Sequence, residues 1–340
     1  MAGFKKIIKE WMLPIAMLTG ASIYLIYHTL PEPIHRAGPF LNDALSVFQP
    51  LLIFSMLFLT FCTIEPKDLK PHRWHWWLLL VQGGMFVVLG LVAVLLIKFF
   101  PDRSFDLLVL IESAMLCFIC PTATAAAVVT RKLGGDVPGI TTYVVLINIL
   151  AAALVPVVFP LIRPESSLGF WTSFCLIVAK VFPLLITPCL CAWVVRYCVP
   201  KLHRRLLSYP DLAFYLWAVA LTLAIAVTTK SIVHSDMGLG LILGMSLVSL
   251  VACFLQFSIG RRIGNSYRPR FSKLSPEAEA QGKAVRKVTA GQSLGQKNTV
   301  FAIWLGYTFL TPETAIVGGL YSIWHNIYNS WQLRRAASQK

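Results

Sequence analysis

The sequence predicts an all-α polytopic membrane protein: ten transmembrane helices in two inverted five-helix repeats, with crossed discontinuous helices at positions four and nine. Three observations lead there: ten apolar segments of spanning length, basic residues gathered on one side, and a helix-breaking pattern at the same place in each half. Of the 340 residues 57% are hydrophobic and 13% charged, and the mean hydropathy is +0.70. A water-soluble domain of that composition would aggregate. The spans read as about 11–28, 41–64, 75–98, 105–130, 137–161, 171–197, 211–233, 238–259, 286–310 and 314–333, each long enough to cross about 30 Å of hydrocarbon as a helix.

The first segment follows a basic start, "MAGFKKIIKEW". No small-residue cleavage site succeeds it, so it is read as a retained span and not a signal peptide. Assigning the span ends alternately to two sides separates the charges. One side takes Lys5, Lys6, Lys9, Lys67, Lys70, Arg73, Arg131, Lys132, Arg196, Lys201, Arg204, Arg205, the run from Arg261 to Lys287, Arg334, Arg335 and Lys340. The other takes Arg36, Lys98, Arg103, Arg163 and Lys230. Because basic loops stay cytoplasmic, both termini are expected inside, with a bacterial inner (plasma) membrane as the expected location. The formal charge of +15 is thereby a topology signal, and nucleic acid is not an expected partner.

Segment four holds "CPTATAAAVVTRKLGGD" (120–136), where Pro121 removes a backbone donor and clashes with the carbonyl four residues earlier. Segment nine holds "TAGQSLGQKNT" (289–299), with Gly291 and Gly295 among polar side chains. An even split puts five spans in residues 1–162 and five in 163–340, and an odd number per half inverts the second half. Non-helical backbone at membrane depth survives only where protein or water satisfies it. Two such breaks bring half-helix ends to a shared site. The eight cysteines fall almost wholly within spans, where thiols behave as small apolar groups. "CFIC" (117–120) has redox-motif spacing but no nearby histidine.

These two segments, with "LLIFSMLFLTFCTIEPKDLKPH" (51–72), Gln82 and "SIWHNIYNS" (322–330), resemble the bile acid:sodium symporter family across nearly the whole chain. The resemblance implies a core bundle of helices 3–5 and 8–10, a panel of helices 1, 2, 6 and 7, an organic anion bound between them, and two sodium ions beside the crossing. The sodium ligands that the resemblance implies are mostly absent. A serine and an asparagine after "CP" are replaced by Ala126 and Ala127, and two hydroxyl ligands on helix five fall on Ile140 and Val144. Sodium, a hard cation, needs several oxygens and a methyl group offers none. The family's shared glutamate corresponds to Gln292 and the asparagine after the next glutamine to Lys297, so that of the second site's side chains Gln82 and Gln296 remain.

An anion has been lost and a cation gained at one place. A lysine at the bilayer centre costs roughly 2.5–3.5 kcal/mol on insertion scales. The expectation is that the Lys297 ammonium stands in for sodium, donating to Gln82, Gln292, Gln296 or loosened carbonyls. It either keeps its charge, giving sodium-independent transport, or releases a proton each cycle, giving proton coupling. No resident cofactor is expected. Thr122, Thr124 and Asn298 line the two breaks. Asn148, with Thr141 and Thr142 on helix five, and His325 and Asn326 on helix ten are further polar candidates, each as interhelical bond or ligand contact. Glu112 and Lys180 lie at similar depth and are expected to pair as an outer gate, or as a static bridge.

The leading function is therefore a secondary carrier of a small organic anion, a carboxylate or sulfonate, in a lipid bilayer. The alternative is a non-transporting receptor or scaffold that retained the fold, with the basic loop 261–285 as a docking segment. An enzyme is not expected, since no zinc HExxH pattern, paired intramembrane aspartates or phosphate-cradling loop is present. The oligomeric state is left open by the sequence.

Overall fold

The structure is a computed structural model and describes residues 2–31, 38–100, 105–123, 125–163, 169–209, 211–234, 237–267 and 276–338. Among these residues it is helical apart from turns and one isolated β-bridge. The helices are α1 (Ala2–Thr29), α2 (Gly38–Cys62), α3 (Arg73–Phe99), α4 (Phe105–Ile119), α5 (Ala126–Lys132), α6 (Val137–Ile162) and α7 (Phe170–Leu185). They continue as α8 (Thr187–Cys198), α9 (Pro200–Leu207), α10 (Leu212–Val233), α11 (Leu239–Ser266), α12 (Pro276–Gly295), α13 (Thr299–Phe309) and α14 (Pro312–Ala337). Six stretches among the described residues are long and apolar enough to cross a membrane: α2, α3, α6, α7 with α8, α10 and α11.

Segments four and nine are not single helices. The first is α4 and α5, separated by extended backbone from Pro121 to Ala123; the second is α12 and α13, separated at Gln296–Asn298. The turn that follows α5 passes through Gly134, whose φ of 75° lies in the left-handed region that glycine enters without a Cβ clash. Segment six is also interrupted, at Ile186 ahead of Pro188.

Packing divides the helices into two groups. In one, α3, α4, α5, α6, α11, α12, α13 and α14 contact one another; in the other, α1, α2, α7, α8, α9 and α10 do. The groups meet through α6 with α7, α10 with α13 and α14, and α2 with α13. Their outward faces expose large apolar side chains such as Leu18, Phe40, Leu91, Leu243 and Phe254. Such faces, which water would not tolerate over so large an area, are suited to lipid. Trp76, Trp77, Trp171 and Trp331 are exposed as interfacial residues should be, whereas Trp74 and Trp304 are buried in the interior.

The turn after α2 is held by two side chains at a helix end. Arg196 and His203 both bond the Cys62 carbonyl, at 3.0 and 2.9 Å, and the guanidinium suits the unpaired carbonyls and the negative end of the helix dipole. In the same turn the Lys67 ammonium, 2.5 Å away, holds the Glu65 carboxyl below its ordinary range through a hydrogen bond and its charge.

The stretch 261–285 is not the loop expected from its charge. Its described residues continue α11 to Ser266 and open α12 at Pro276. Glu277 and Glu279 in the first turn of α12 suit the positive end of a helix. The α11–α12 pair packs closely for a simple reason. A Cβ on Gly260 would lie 2.4 Å from the Ala290 carbonyl oxygen, and one on Gly264 would lie 2.4 Å from that of Arg286. Small residues four apart let two helix backbones touch. Gly260→Ala is therefore expected to force the helices apart and cost about 1–3 kcal/mol, as overpacking does. A lowered melting midpoint of the purified protein is the readout, and an unchanged one contradicts the close approach.

Candidate functional site

The two breaks meet. Thr122 and Lys297 form an antiparallel bridge, in which the Asn298 amide donates to the Pro121 carbonyl at 2.8 Å and the Ala123 amide to the Gln296 carbonyl at 3.2 Å. Each break thus satisfies backbone groups that the other leaves open, which is how non-helical chain is tolerated away from water. The Thr122 hydroxyl adds a bond to the Ser293 carbonyl at 2.6 Å. Asn298 caps α13 by accepting from the Phe301 amide at 3.2 Å, an ordinary N-cap role. Thr124 lies outside the described residues.

The whole stretch 291–300 is buried, and Lys297 is 2% exposed. Its Nζ donates to the Phe118 carbonyl at 3.2 Å, one of the last carbonyls of α4. Those carbonyls have no partner further along the helix and form its negative end. A positive charge is favoured at such a helix end. The titratable groups around the amine are the thiols of Cys117, Cys120 and Cys253.

The three glutamines do something else. Gln82 donates to the Cys120 carbonyl at 2.9 Å and accepts from the Tyr143 hydroxyl at 2.7 Å. Gln296 donates to Gln292 at 2.7 Å, and Gln292 donates to Asn329 at 3.3 Å. They brace the breaks from both sides and do not coordinate the ammonium. The Gln82 and Gln292 oxygens are engaged, and Ala126, Ile140 and Val144, which are buried, and Ala127, which is half-buried, carry no side-chain oxygen.

The polar candidates on helices five and ten mostly bond their own helix. Thr141 bonds the Val137 carbonyl, Thr142 that of Pro138 at 2.9 Å, Asn148 that of Val144 at 2.6 Å and Asn326 that of Ser322 at 2.7 Å. Side chains four residues from a carbonyl on the same helix spend their donors this way. Two atoms remain without a partner although buried: Asn148 Oδ1 and His325 Nδ1.

The expected Glu112–Lys180 pair is not formed. Glu112, fully buried, accepts from Arg163 Nε at 2.7 Å and Nη2 at 3.2 Å, and from the Thr314 hydroxyl at 2.8 Å. Lys180 lies over the Phe309 ring, 5.6 Å from its centre. Similar depth along two helices does not fix their facing, and Arg163 at the end of α6 reaches the carboxylate with a two-pronged geometry that an ammonium lacks.

Sequence reasoning missed Gln256 and Tyr321. Gln256 donates to the Cys117 carbonyl and the Tyr321 hydroxyl, both at 3.1 Å, and Tyr321 donates to the Gly295 carbonyl at 2.8 Å. The signal was present in part: a lone amide inside the apolar α11 asks for a partner. The glycines of segment nine also have a packing role. A Cβ on Gly295 would lie 2.4 Å from the Phe257 ring, and one on Gly291 2.6 Å from the Arg261 side chain, so both admit α11.

A search among curated proteins finds no match to the chain. The sequence profile described as the Sodium Bile acid symporter family matches residues 50–235, a span from the middle of α2 through α10 that contains the first of the two breaks. The chain belongs to that family.

Proposed function

We propose that the protein is a secondary carrier of a small organic anion that works without sodium, with Lys297 supplying at the crossing the positive charge that a mobile ion would otherwise bring. The observation that carries this reading is the buried ammonium on the Phe118 carbonyl, inside the bridge that joins the two broken helices. Half-helix ends of this kind are where transporters hold coupling ions and anionic substrate groups. In this reading the chain crosses the bilayer ten times as two inverted halves, both termini are cytoplasmic, and the group containing α1, α2, α7, α8 and α10 is the panel against which the core moves.

The side-chain chemistry supports the absence of sodium coupling. Alanine, isoleucine and valine stand where oxygen ligands are needed, and a full protein-bound charge beside them opposes a second cation electrostatically. Reconstitution in proteoliposomes tests the proposal with labelled carboxylates and sulfonates, using sodium, potassium and proton gradients in turn. Uptake that is indifferent to sodium is expected. Strict dependence on a sodium gradient would refute the surrogate role of Lys297.

A further inference from the structure

The short helix α9, "PKLHRRLL", joins two stretches that are long and apolar enough to cross a membrane, α7 with α8 and α10. It therefore stands at a membrane face. Pro200 opens it at the first helical position, where a missing amide costs nothing, and Arg204 and Arg205 close it at the negative end of its dipole. One side of the helix belongs to the protein: His203 is buried on the Cys62 carbonyl and Leu206 packs against the main core.

The remaining residues divide by chemistry. At the spacing of an α-helix Lys201, Arg204 and Arg205 share one face, and all three are exposed. Leu202 and Leu207 flank the buried side and are exposed as well, as are Tyr197 and Tyr209 just beyond the two ends. Apolar flanks suit acyl chains, tyrosines suit the headgroup level, and a basic face suits headgroup phosphates. None of the three cations forms an ion pair with a described residue. Glu65, in the turn that His203 helps to hold, is paired with Lys67 and Arg196 instead. A topology signal needs cations only somewhere in the connection. It does not require them on one face of a helix with leucines along the other.

We propose that α9 is an in-plane helix that binds the headgroups of anionic phospholipid, with Lys201, Arg204 and Arg205 on the phosphates and Leu202 and Leu207 against the upper acyl chains. A free helix of this length would be too short to persist on a membrane by itself. Here α8 and α10 keep it at the surface, so lipid contact does not have to overcome the loss of translational freedom. The surface is separate from the crossing and does not depend on the carrier reading.

Native mass spectrometry of the full chain in neutral detergent tests this, with phosphatidylglycerol against phosphatidylcholine of the same acyl chains. Each cation near an anionic surface is worth about fivefold, reduced by salt, so a preference of about tenfold or more for phosphatidylglycerol is expected. Arg204→Gln lowers it about threefold, and Lys201→Gln, Arg204→Gln and Arg205→Gln together leave about twofold or less. Arg204→Lys with Arg205→Lys retains it within about twofold, because headgroup attraction follows the charge. All three side chains are exposed, so these variants leave the packing intact. Arg131→Gln with Lys132→Gln, which removes two exposed cations at the end of α5, leaves the preference unchanged. Equal binding of the two lipids by the wild type overturns the proposal, as does a preference that the triple variant keeps or that Arg131→Gln with Lys132→Gln removes. Displacement of phosphatidylglycerol by millimolar inorganic phosphate would identify a soluble-anion site and overturn the lipid surface too.

Discussion

Lys297→Met abolishes anion uptake while leaving the protein as stable as the wild type or more so. The loss of transport is expected to be about a hundredfold, because the contact removed is a charge-assisted bond at a dry site, worth up to about 3 kcal/mol. Stability moves the other way. Holding an ammonium at 2% exposure on a single carbonyl at 3.2 Å is costly, and an apolar side chain of similar length removes that desolvation penalty. A structural lysine would behave oppositely, with destabilisation and residual transport. Uptake in proteoliposomes and the melting midpoint, measured on one preparation, separate the two cases. Wild-type uptake by Lys297→Met would remove the residue from the mechanism.

Glu112→Gln is expected to destabilise the protein by about 2 kcal/mol. Removing one partner of a buried pair costs about 3–5 kcal/mol, and the figure is discounted here because Arg163 keeps solvent contact and part of its charge is screened. The Arg163 side chain is 31% exposed and that of Glu112 is not exposed at all. The loss falls on one place where three elements converge: α4 through Glu112, the end of α6 through Arg163 and the start of α14 through Thr314. A double-mutant cycle identifies the partner. Coupling between Glu112→Gln and Arg163→Gln should exceed about 1 kcal/mol, while the cycle with Lys180→Gln should close to within about 0.5 kcal/mol, as for residues without a shared contact. Coupling to Lys180 instead would mean that the carboxylate changes partner in the membrane.

The two breaks were legible because each has a local cause or a local oddity. Pro121 cannot continue a helix whatever surrounds it, and a lysine between two amides is out of place in an apolar run. What the candidate side chains bond was much less legible. Asn148 and Asn326 were candidates for the cavity, yet each turns back onto its own helix four residues away, an option present in every helix and invisible in composition. Gly291 and Gly295 were noted in the segment where α12 ends, but their close approach to Phe257 and Arg261 on another helix was not visible in composition.

Hydropathy, proline placement and charge asymmetry act within a few turns of chain, and they determined that the protein is a membrane-embedded helical bundle with interrupted helices at two positions. The partners of Lys297, Gln82 and Glu112 lie on other helices, at sequence separations of 179, 38 and 61, and 51 and 202 residues. Rotation and depth of packed helices select such partners, so only the tertiary structure decided that the ammonium rests on a helix-end carbonyl and that the buried carboxylate belongs to Arg163.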